Sequence, residues 1–143
     1  MTRMNVAETA PGPYRALLQA DAALRTGPLD ATVRELVKLR ASQLNGCVFC
    51  VDLHAGEARG NGESERRLYQ LAVWQESELF DARERAALAY TDAVTRLEPV
   101  GDDLWETLRR HFPDEAELGH LVTQVALINA LNRVGVPMRM RPA

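Results

Sequence analysis

Two cysteines, a histidine and a glutamate lie within twenty residues of one another and could together perform thiol chemistry. Cys47 and Cys50 form a C-x-x-C pair, and His54 follows the second cysteine by four residues. On a helix these three positions lie within roughly 60° of one another, so both sulfurs and the imidazole share one face. The first turn of a helix favours a thiolate over a thiol, because its free N–H groups and its dipole stabilise negative charge. The pattern predicts a nucleophilic thiolate, a histidine base and a second thiol.

Glu35 is predicted to support this histidine from the preceding helix. It lies eleven residues before Gly46, whereas His54 lies eight residues after it. A tight reversal at Gly46 would make the two helices antiparallel and bring the carboxylate near the level of the imidazole. A third group in that position can orient the base beside an activated nucleophile.

Three other interpretations of the cysteine pair remain open. With His54 the pair could be part of a structural zinc site, although such sites usually combine two short ligand pairs and the chain has one. A thioredoxin-type motif would follow a strand, and strand patterns are lacking. The cysteines could also be ordinary core residues. We expect neither a metal ion nor a cofactor.

Helical patterns run through nearly the whole chain. About seven helices are predicted, over roughly residues 13–25, 30–45, 47–59, 64–74, 81–97, 103–111 and 114–133. Asp81 with Glu84, and Asp103 with Glu106, have the spacing of capping boxes. The predicted fold class is all-α, with a helix hairpin around Gly46 that carries the C-x-x-C site.

Length and composition favour one domain over residues 1–143. The chain is 46% hydrophobic and 26% charged, and it is long enough to bury a core without disulfide staples. Its net charge of −3 argues against a nucleic-acid partner, because phosphate binding requires a basic surface. No apolar stretch approaches a membrane span, and residues 1–13 lack the apolar block of a signal peptide. We therefore expect a cytoplasmic protein without a membrane partner.

The last predicted helix is apolar on most sides, which is typical of a buried helix. In a domain of this size the pattern suggests a subunit interface. Asn129 and Asn132 share a face of this helix with Val125, so we expect them to be buried and hydrogen-bonded.

The spacing of Glu35, Cys47, Cys50 and His54 resembles the signature of the carboxymuconolactone decarboxylase-like superfamily, in its alkylhydroperoxidase (AhpD-like) branch. The segment from Ile128 to Arg133 is similar to the last core helix of that family, so the resemblance spans about Pro13 to Val136. Phe49 departs from the pattern, since the best-studied members have a histidine between the cysteines. Many shorter relatives have an aromatic residue there.

This resemblance implies an all-helical thiol peroxidase that assembles as a homotrimer or homohexamer. Cys50 would attack a hydroperoxide substrate, and Cys47 would resolve the sulfenic acid as a disulfide. His54 and Glu35 would relay the proton, and an external dithiol reductant would restore the cysteines.

Three alternatives to a peroxidase are kept. One is a redox-sensing or disulfide-exchange module without peroxidase activity. Another is a carboxymuconolactone decarboxylase-related enzyme, which is the weaker hypothesis because that branch lacks the paired cysteines. The last is a non-catalytic helical oligomer in which the cysteine pair is a relic.

Overall fold

The structure is a computed structural model that describes residues 1–143, and all of its regular elements are helical. A 3-10 helix, Leu71–Glu76, directly follows the fifth α-helix. The eight α-helices are α1 (Val6–Thr9), α2 (Pro11–Arg25), α3 (Ala31–Asn45), α4 (Val48–Gly60), α5 (Glu65–Gln70), α6 (Ala82–Thr95), α7 (Asp102–His111) and α8 (Glu115–Gly135). The predicted all-α class is confirmed.

The number of helices differs from the predicted seven at two places. The short helix α1 was not predicted. The helix predicted over residues 64–74 corresponds to α5 and the 3-10 helix that follows it. Within that 3-10 helix the backbone leaves helical geometry at Val73, with φ −125° and ψ 36°.

One of the two predicted capping boxes is present in the structure. Asp81 and Glu84 form the predicted capping box at the start of α6. The capping role predicted for Asp103 is wrong, because α7 begins one residue earlier, at Asp102, and follows Gly101, which has no side chain to cap it.

Helix α3 is the central helix of the fold. Ten of its fifteen residues are buried, and it packs against α4, α6 and α8. Val33 and Val37 pack into an apolar cluster with α6, α7 and α8, whereas Leu36 and Leu39 pack into a second cluster with α4, α5 and the 3-10 helix. Because α3 is covered on several sides, its polar side chains are also directed into the interior.

A buried ion pair joins α3 to α6. The Arg40 guanidinium donates to both carboxylate oxygens of Asp92, at 2.7 and 3.0 Å. The indole N–H of Trp74 donates to the same carboxylate at 3.1 Å. Charge and hydrogen bonds are therefore paired in a region from which water is excluded, as buried charges require.

The apolar residues of α8 are largely covered by the chain itself. Leu121, Val125 and Ile128 have no exposed surface. The composition of α8 is therefore explained by burial within one chain, and it gives no support for a subunit interface. None of the helices combines the length and the apolar character needed to cross a membrane.

The two asparagines of α8 are buried and hydrogen-bonded, as predicted. Asn129 donates to the Thr95 hydroxyl at 3.1 Å, and Asn132 donates to the Ser42 hydroxyl at 3.1 Å. The Asn45 amide donates to both of their side-chain oxygens at 2.9 Å. This network fixes the end of α3, and hence the turn that follows it, against α8.

Candidate active site

The turn between α3 and α4 positions the cysteine pair. Gly46 ends α3 with φ 68° and ψ 31°, a left-handed conformation that glycine adopts without steric cost. Cys47 is the N-cap of α4, and its sulfur accepts the N–H of Cys50 at 3.3 Å. The first cysteine therefore lies one residue before the helix, rather than inside its first turn as predicted, and Cys50 lies within that turn.

The two cysteines are joined by a disulfide, with their Cα atoms 5.2 Å apart. Both are buried, with 1% of Cys47 and 5% of Cys50 exposed. The end of α8 closes against the pair at Gly135. A Cβ added to that glycine would lie 2.8 Å from the Cys47 sulfur and 3.5 Å from the Cys50 sulfur. A residue without a side chain is therefore required for this approach.

A cavity of about 160 Å³ gives access to one side of the pair. Cys50 and His54 line it, whereas Cys47 and Glu35 do not. The rest of its wall is mainly apolar and comes from α2, α4, α8 and the C-terminal segment: Tyr14, Leu18, Phe49, Leu53, Leu131, Gly135 and Met140, with Asp21 and Arg25 as the other polar members. The structure thus brings a cysteine and a histidine to one apolar surface.

His54 lies closer to Glu57 than to the predicted partner, Glu35. Its Nδ1 is 2.9 Å from Glu57 Oε2 and 3.9 Å from Glu35 Oε2. The two helices do bring Glu35 to the level of the imidazole, but the hydrogen bond is made within α4. Glu57 was missed by the sequence reasoning, although its i, i+3 spacing from His54 is the spacing of neighbours on a helix.

A fully buried lysine lies among the carboxylates around His54. No surface of Lys38 is exposed, and its Nζ lies 3.4 Å from Asp21 Oδ1, 3.6 Å from Glu35 Oε1 and 3.5 Å from Glu57 Oε2. None of these contacts has hydrogen-bond geometry. Lys38 was also not predicted, because lysines are almost never fully buried unless they are paired.

Two arginines complete the ion-pair cluster. Arg25 pairs with Glu57 at 2.5 Å and with Asp21 at 3.1 Å, and Arg34 pairs with Glu35 at 3.3 Å. The cluster therefore contains three acidic and three basic side chains, so its formal charge is zero apart from His54. It consists of Asp21, Glu35, Glu57, Arg25, Arg34 and Lys38.

Glu57 is held in its ionised form. Burial alone would raise the pKa of Glu57, but the hydrogen bonds from His54 and Arg25 and the charge of Lys38 outweigh it and hold that pKa well below its usual range. The pKa of Arg25 is raised, mainly by its hydrogen bond to Glu57. An ionised carboxylate can only accept hydrogen bonds, so the His54 nitrogen that faces Glu57 carries the proton. In the neutral imidazole the other ring nitrogen, Nε2, would be free to accept a proton.

Residues 11–93 match the model of the carboxymuconolactone decarboxylase family. The chain belongs to this family. The matched range contains every residue of the cluster and both cysteines, so the resemblance inferred from Glu35, the C-x-x-C pair and His54 is confirmed.

Individual relatives agree with this assignment. The uncharacterised protein YdfG of Bacillus subtilis is 35% identical over 143 residues, which cover 99% of this chain and 97% of YdfG. ATU0492 from Agrobacterium tumefaciens is a protein of unknown function that carries the name of the antioxidant defence protein AhpD. Its solved structure matches this chain with a TM-score of 0.95 and 38% sequence identity. The match covers 100% of this chain and 99% of the ATU0492 chain. An uncharacterised peroxidase-related protein from Ralstonia eutropha, described as an alkylhydroperoxidase AhpD core, is 25% identical, with a TM-score of 0.83. That match covers 96% of this chain and 74% of the Ralstonia chain.

Metal binding is disfavoured at the group formed by Glu35, His54 and Glu57. Glu35, His54 and Glu57 each place one ligand atom within 4.8 Å of the others, which is close enough for a shared ion. The Lys38 ammonium, however, lies 3.6 and 3.5 Å from the same two carboxylates. A divalent ion would be placed beside a buried positive charge that already neutralises those oxygens, and Coulomb repulsion there is weakly screened.

Proposed function

We propose that this protein is a thiol-dependent hydroperoxidase in which Cys50 is the residue that attacks the peroxide. The observation that carries this proposal is the asymmetry of the disulfide. Cys50 lines the apolar cavity together with His54, whereas Cys47 lies outside that cavity and is 1% exposed. A substrate entering the cavity meets Cys50 first. Membership of the carboxymuconolactone decarboxylase family, and relatives named for AhpD and for peroxidases, support a role in antioxidant chemistry.

The reaction begins from the reduced pair. The Cys50 thiolate attacks the terminal oxygen of a hydroperoxide, ROOH, so that an S–O bond forms and the O–O bond breaks. The products are the Cys50 sulfenic acid and an alkoxide, which takes up one proton to become the alcohol. The Cys47 thiol then attacks the sulfenic sulfur, which forms the disulfide and releases water. An external dithiol reduces the disulfide by two exchange steps and becomes oxidised itself.

His54 manages the proton in this proposal. Its unprotonated Nε2 accepts the Cys50 proton as the thiolate forms and returns it to the leaving alkoxide, which is general base and then general acid catalysis. Glu57 fixes the orientation of the ring by accepting a hydrogen bond from Nδ1–H. The predicted relay role of Glu35 is retained as a proposal, supported by its Oε2 atom, which is buried, has no hydrogen-bond partner and lies 3.9 Å from His54.

The dimensions of the cavity favour small reaction partners. A volume of about 160 Å³ is below that of a typical drug-sized pocket, which begins at about 300 Å³. The buried disulfide also offers little surface to a protein thiol. We therefore propose an organic hydroperoxide with an apolar group as the substrate, and a small dithiol as the reductant.

Replacement of each cysteine tests the proposal. Hydroperoxide consumption would be measured with a small dithiol present and with the rate of a protein-free sample subtracted. Cys50→Ser should abolish turnover. Cys47→Ser, reduced and then freed of dithiol, should retain one round of peroxide reduction and accumulate the Cys50 sulfenic acid, which intact mass would detect as the gain of one oxygen. Undiminished turnover by Cys50→Ser would contradict the proposal.

The same samples distinguish the alternative hypotheses. Reduction of a small disulfide without hydroperoxide consumption would indicate a disulfide-exchange module. No change in intact mass of the reduced protein after one equivalent of hydroperoxide would indicate that the pair has no redox role.

A further inference from the structure

The mechanism described above does not use Lys38, although this lysine has the most constrained environment in the cluster. Its side chain is fully buried and its Nζ makes three ion-pair contacts of 3.4 to 3.6 Å, none with hydrogen-bond geometry. Such contacts give little directional support to the fold. What the ammonium does supply is a full positive charge in an environment that screens it poorly.

That charge acts on His54 through a shared oxygen. Lys38 Nζ and His54 Nδ1 lie 3.5 and 2.9 Å from the same atom, Glu57 Oε2, so they cannot be more than about 6.4 Å apart. A second positive charge on the imidazole would be repelled by the first. The Glu57 carboxylate has the opposite effect, because it attracts a proton to the ring.

We propose that Lys38 is a positioning residue for the general base: its charge, added to that of Arg25, offsets the charge of Glu57 and so disfavours protonation of His54 at Nε2. This inference rests on the proposed function for the identity of the proton that His54 accepts. The charge balance itself rests only on the observed ion pairs, and it can be tested without any peroxidase activity.

The other charged groups around His54 lie on α2 and α3. Arg25 on α2 pairs with both Asp21 and Glu57, and Glu35 on α3 pairs with Arg34. Arg25 is present in every variant described below, so comparison of the variants isolates the charge of Lys38. From α8 and the C-terminal segment, only Leu131, Gly135 and Met140 line the cavity, and none of them titrates. Tyr14 on α2 is the remaining titratable residue of the cavity wall, and a tyrosine is neutral over the range in which histidines titrate.

The experiment is a titration of the three histidines by NMR in single and double variants. Lys38→Met, which keeps the length and the apolar stem of the side chain, should move the His54 midpoint to higher pH. At a separation of 6.4 Å and an effective dielectric constant of about 20, the shift is roughly two pH units, and it is roughly one if that constant is doubled. Glu57→Gln should move the midpoint to lower pH.

The double variant with both substitutions provides the decisive measurement. It removes one positive and one negative charge, so its His54 midpoint should lie above that of Glu57→Gln by the same roughly two pH units that Lys38→Met adds to the wild type. A lysine that only filled space would give no such difference. His111 and His120 serve as internal references in every spectrum, and Arg59→Gln, an exposed change on α4, serves as the control variant that should leave His54 unchanged.

Each outcome decides the inference. An unchanged His54 midpoint in Lys38→Met, or a double variant whose midpoint lies no higher than that of Glu57→Gln, would overturn it. If Lys38→Met does not fold, Lys38→Gln replaces it in the single and the double variant, and an unchanged His54 midpoint there would also overturn the inference. Failure of the proposed peroxidase would be seen separately, as turnover that survives Cys50→Ser.

Discussion

The contact between Gly135 and the cysteine pair predicts that a single methyl group will change the redox equilibrium. In Gly135→Ala the new Cβ would lie 2.8 Å from the Cys47 sulfur, closer than two such atoms can pack. In the disulfide, each sulfur is held by the other and cannot rotate away. In the dithiol, the Cys47 side chain can rotate about its Cα–Cβ bond independently of Cys50. The methyl group should therefore destabilise the oxidised form more than the reduced form.

The magnitude follows from the usual cost of overpacking. Inserting a methyl group into a packed interior costs about 1–3 kcal/mol. If this cost falls on the disulfide form alone, it corresponds to roughly 20–65 mV for a two-electron couple. Because the oxidised form is the one destabilised, the reduction potential should become less negative by that amount.

The assay is equilibration in buffers of reduced and oxidised dithiothreitol, followed by alkylation of free thiols and intact mass measurement. Gly119→Ala is the matched control, since it lies on the same helix and an added Cβ would have no neighbour within 4 Å. Both substitutions favour the helix, but only Gly135→Ala should shift the potential. Urea unfolding of the oxidised and reduced forms should show the same free-energy difference, because the two measurements close one thermodynamic cycle.

A potential for Gly135→Ala within about 10 mV of the wild-type value would refute this reasoning. It would mean that the end of α8 moves away from the pair at little cost. A shift to a more negative potential would refute it as well, because the reduced form would then be the more crowded one.

Three further predictions concern stability, measured by urea unfolding. Asp92→Ala should cost about 3–5 kcal/mol, because it leaves the buried Arg40 charge unpaired, whereas Glu65→Gln, which removes an exposed ion pair, should leave the unfolding midpoint unchanged. Equal effects of these two variants would contradict the prediction. Gly46→Ala should cost about 1–2 kcal/mol, because a non-glycine residue must adopt the left-handed conformation there, while Gly56→Ala within α4 should be stabilising; a neutral Gly46→Ala would contradict the assignment of backbone strain. The pKa of Glu57 is lower in the folded protein than its ordinary value of about 4.5. Its ionised form therefore contributes to the free energy of unfolding above about pH 4.5, and this contribution is lost as the pH falls towards the pKa of the folded state. The stability difference between wild type and Glu57→Gln should therefore narrow below about pH 4.5, and a difference independent of pH would show that Glu57 is not linked to folding.

The fold could be predicted from the sequence where the signals were local. Glycine after α3 and the capping pair at Asp81 act on residues within one turn, so their meaning does not depend on the rest of the molecule. The non-helical geometry at Val73 could not be predicted in this way, because nothing in the composition of residues 64–74 marks a break. Leu71 and Trp74, which lie on either side of it, are both buried, so tertiary contacts also act on the backbone there.

The candidate site could be predicted in its thiols and its base, but only in part in its charges. Which carboxylate reaches His54 depends on the rotation of α4 relative to α3, and the sequence does not fix that rotation. Lys38 could not be identified as buried, because a lysine on a helix is normally solvated. A signal was nevertheless present: Lys38 follows Glu35 by three residues, and Glu57 follows His54 by three residues, so each helix presents a pair of titratable groups on one face.

The different environments of the two cysteines, on which their proposed roles rest, follow from their positions in the hairpin. An N-cap residue lies outside the helix and directs its side chain back over the first turn, which takes the Cys47 sulfur towards the N–H of Cys50 and against Gly135. A residue within the first turn directs its side chain to one face of the helix, and the face that carries Cys50 also carries His54 one turn later. The spacing of the motif thus sets one sulfur against the protein interior and the other at the cavity. Because both residues are cysteines, their environments could be exchanged only by moving the first residue of α4 along the sequence.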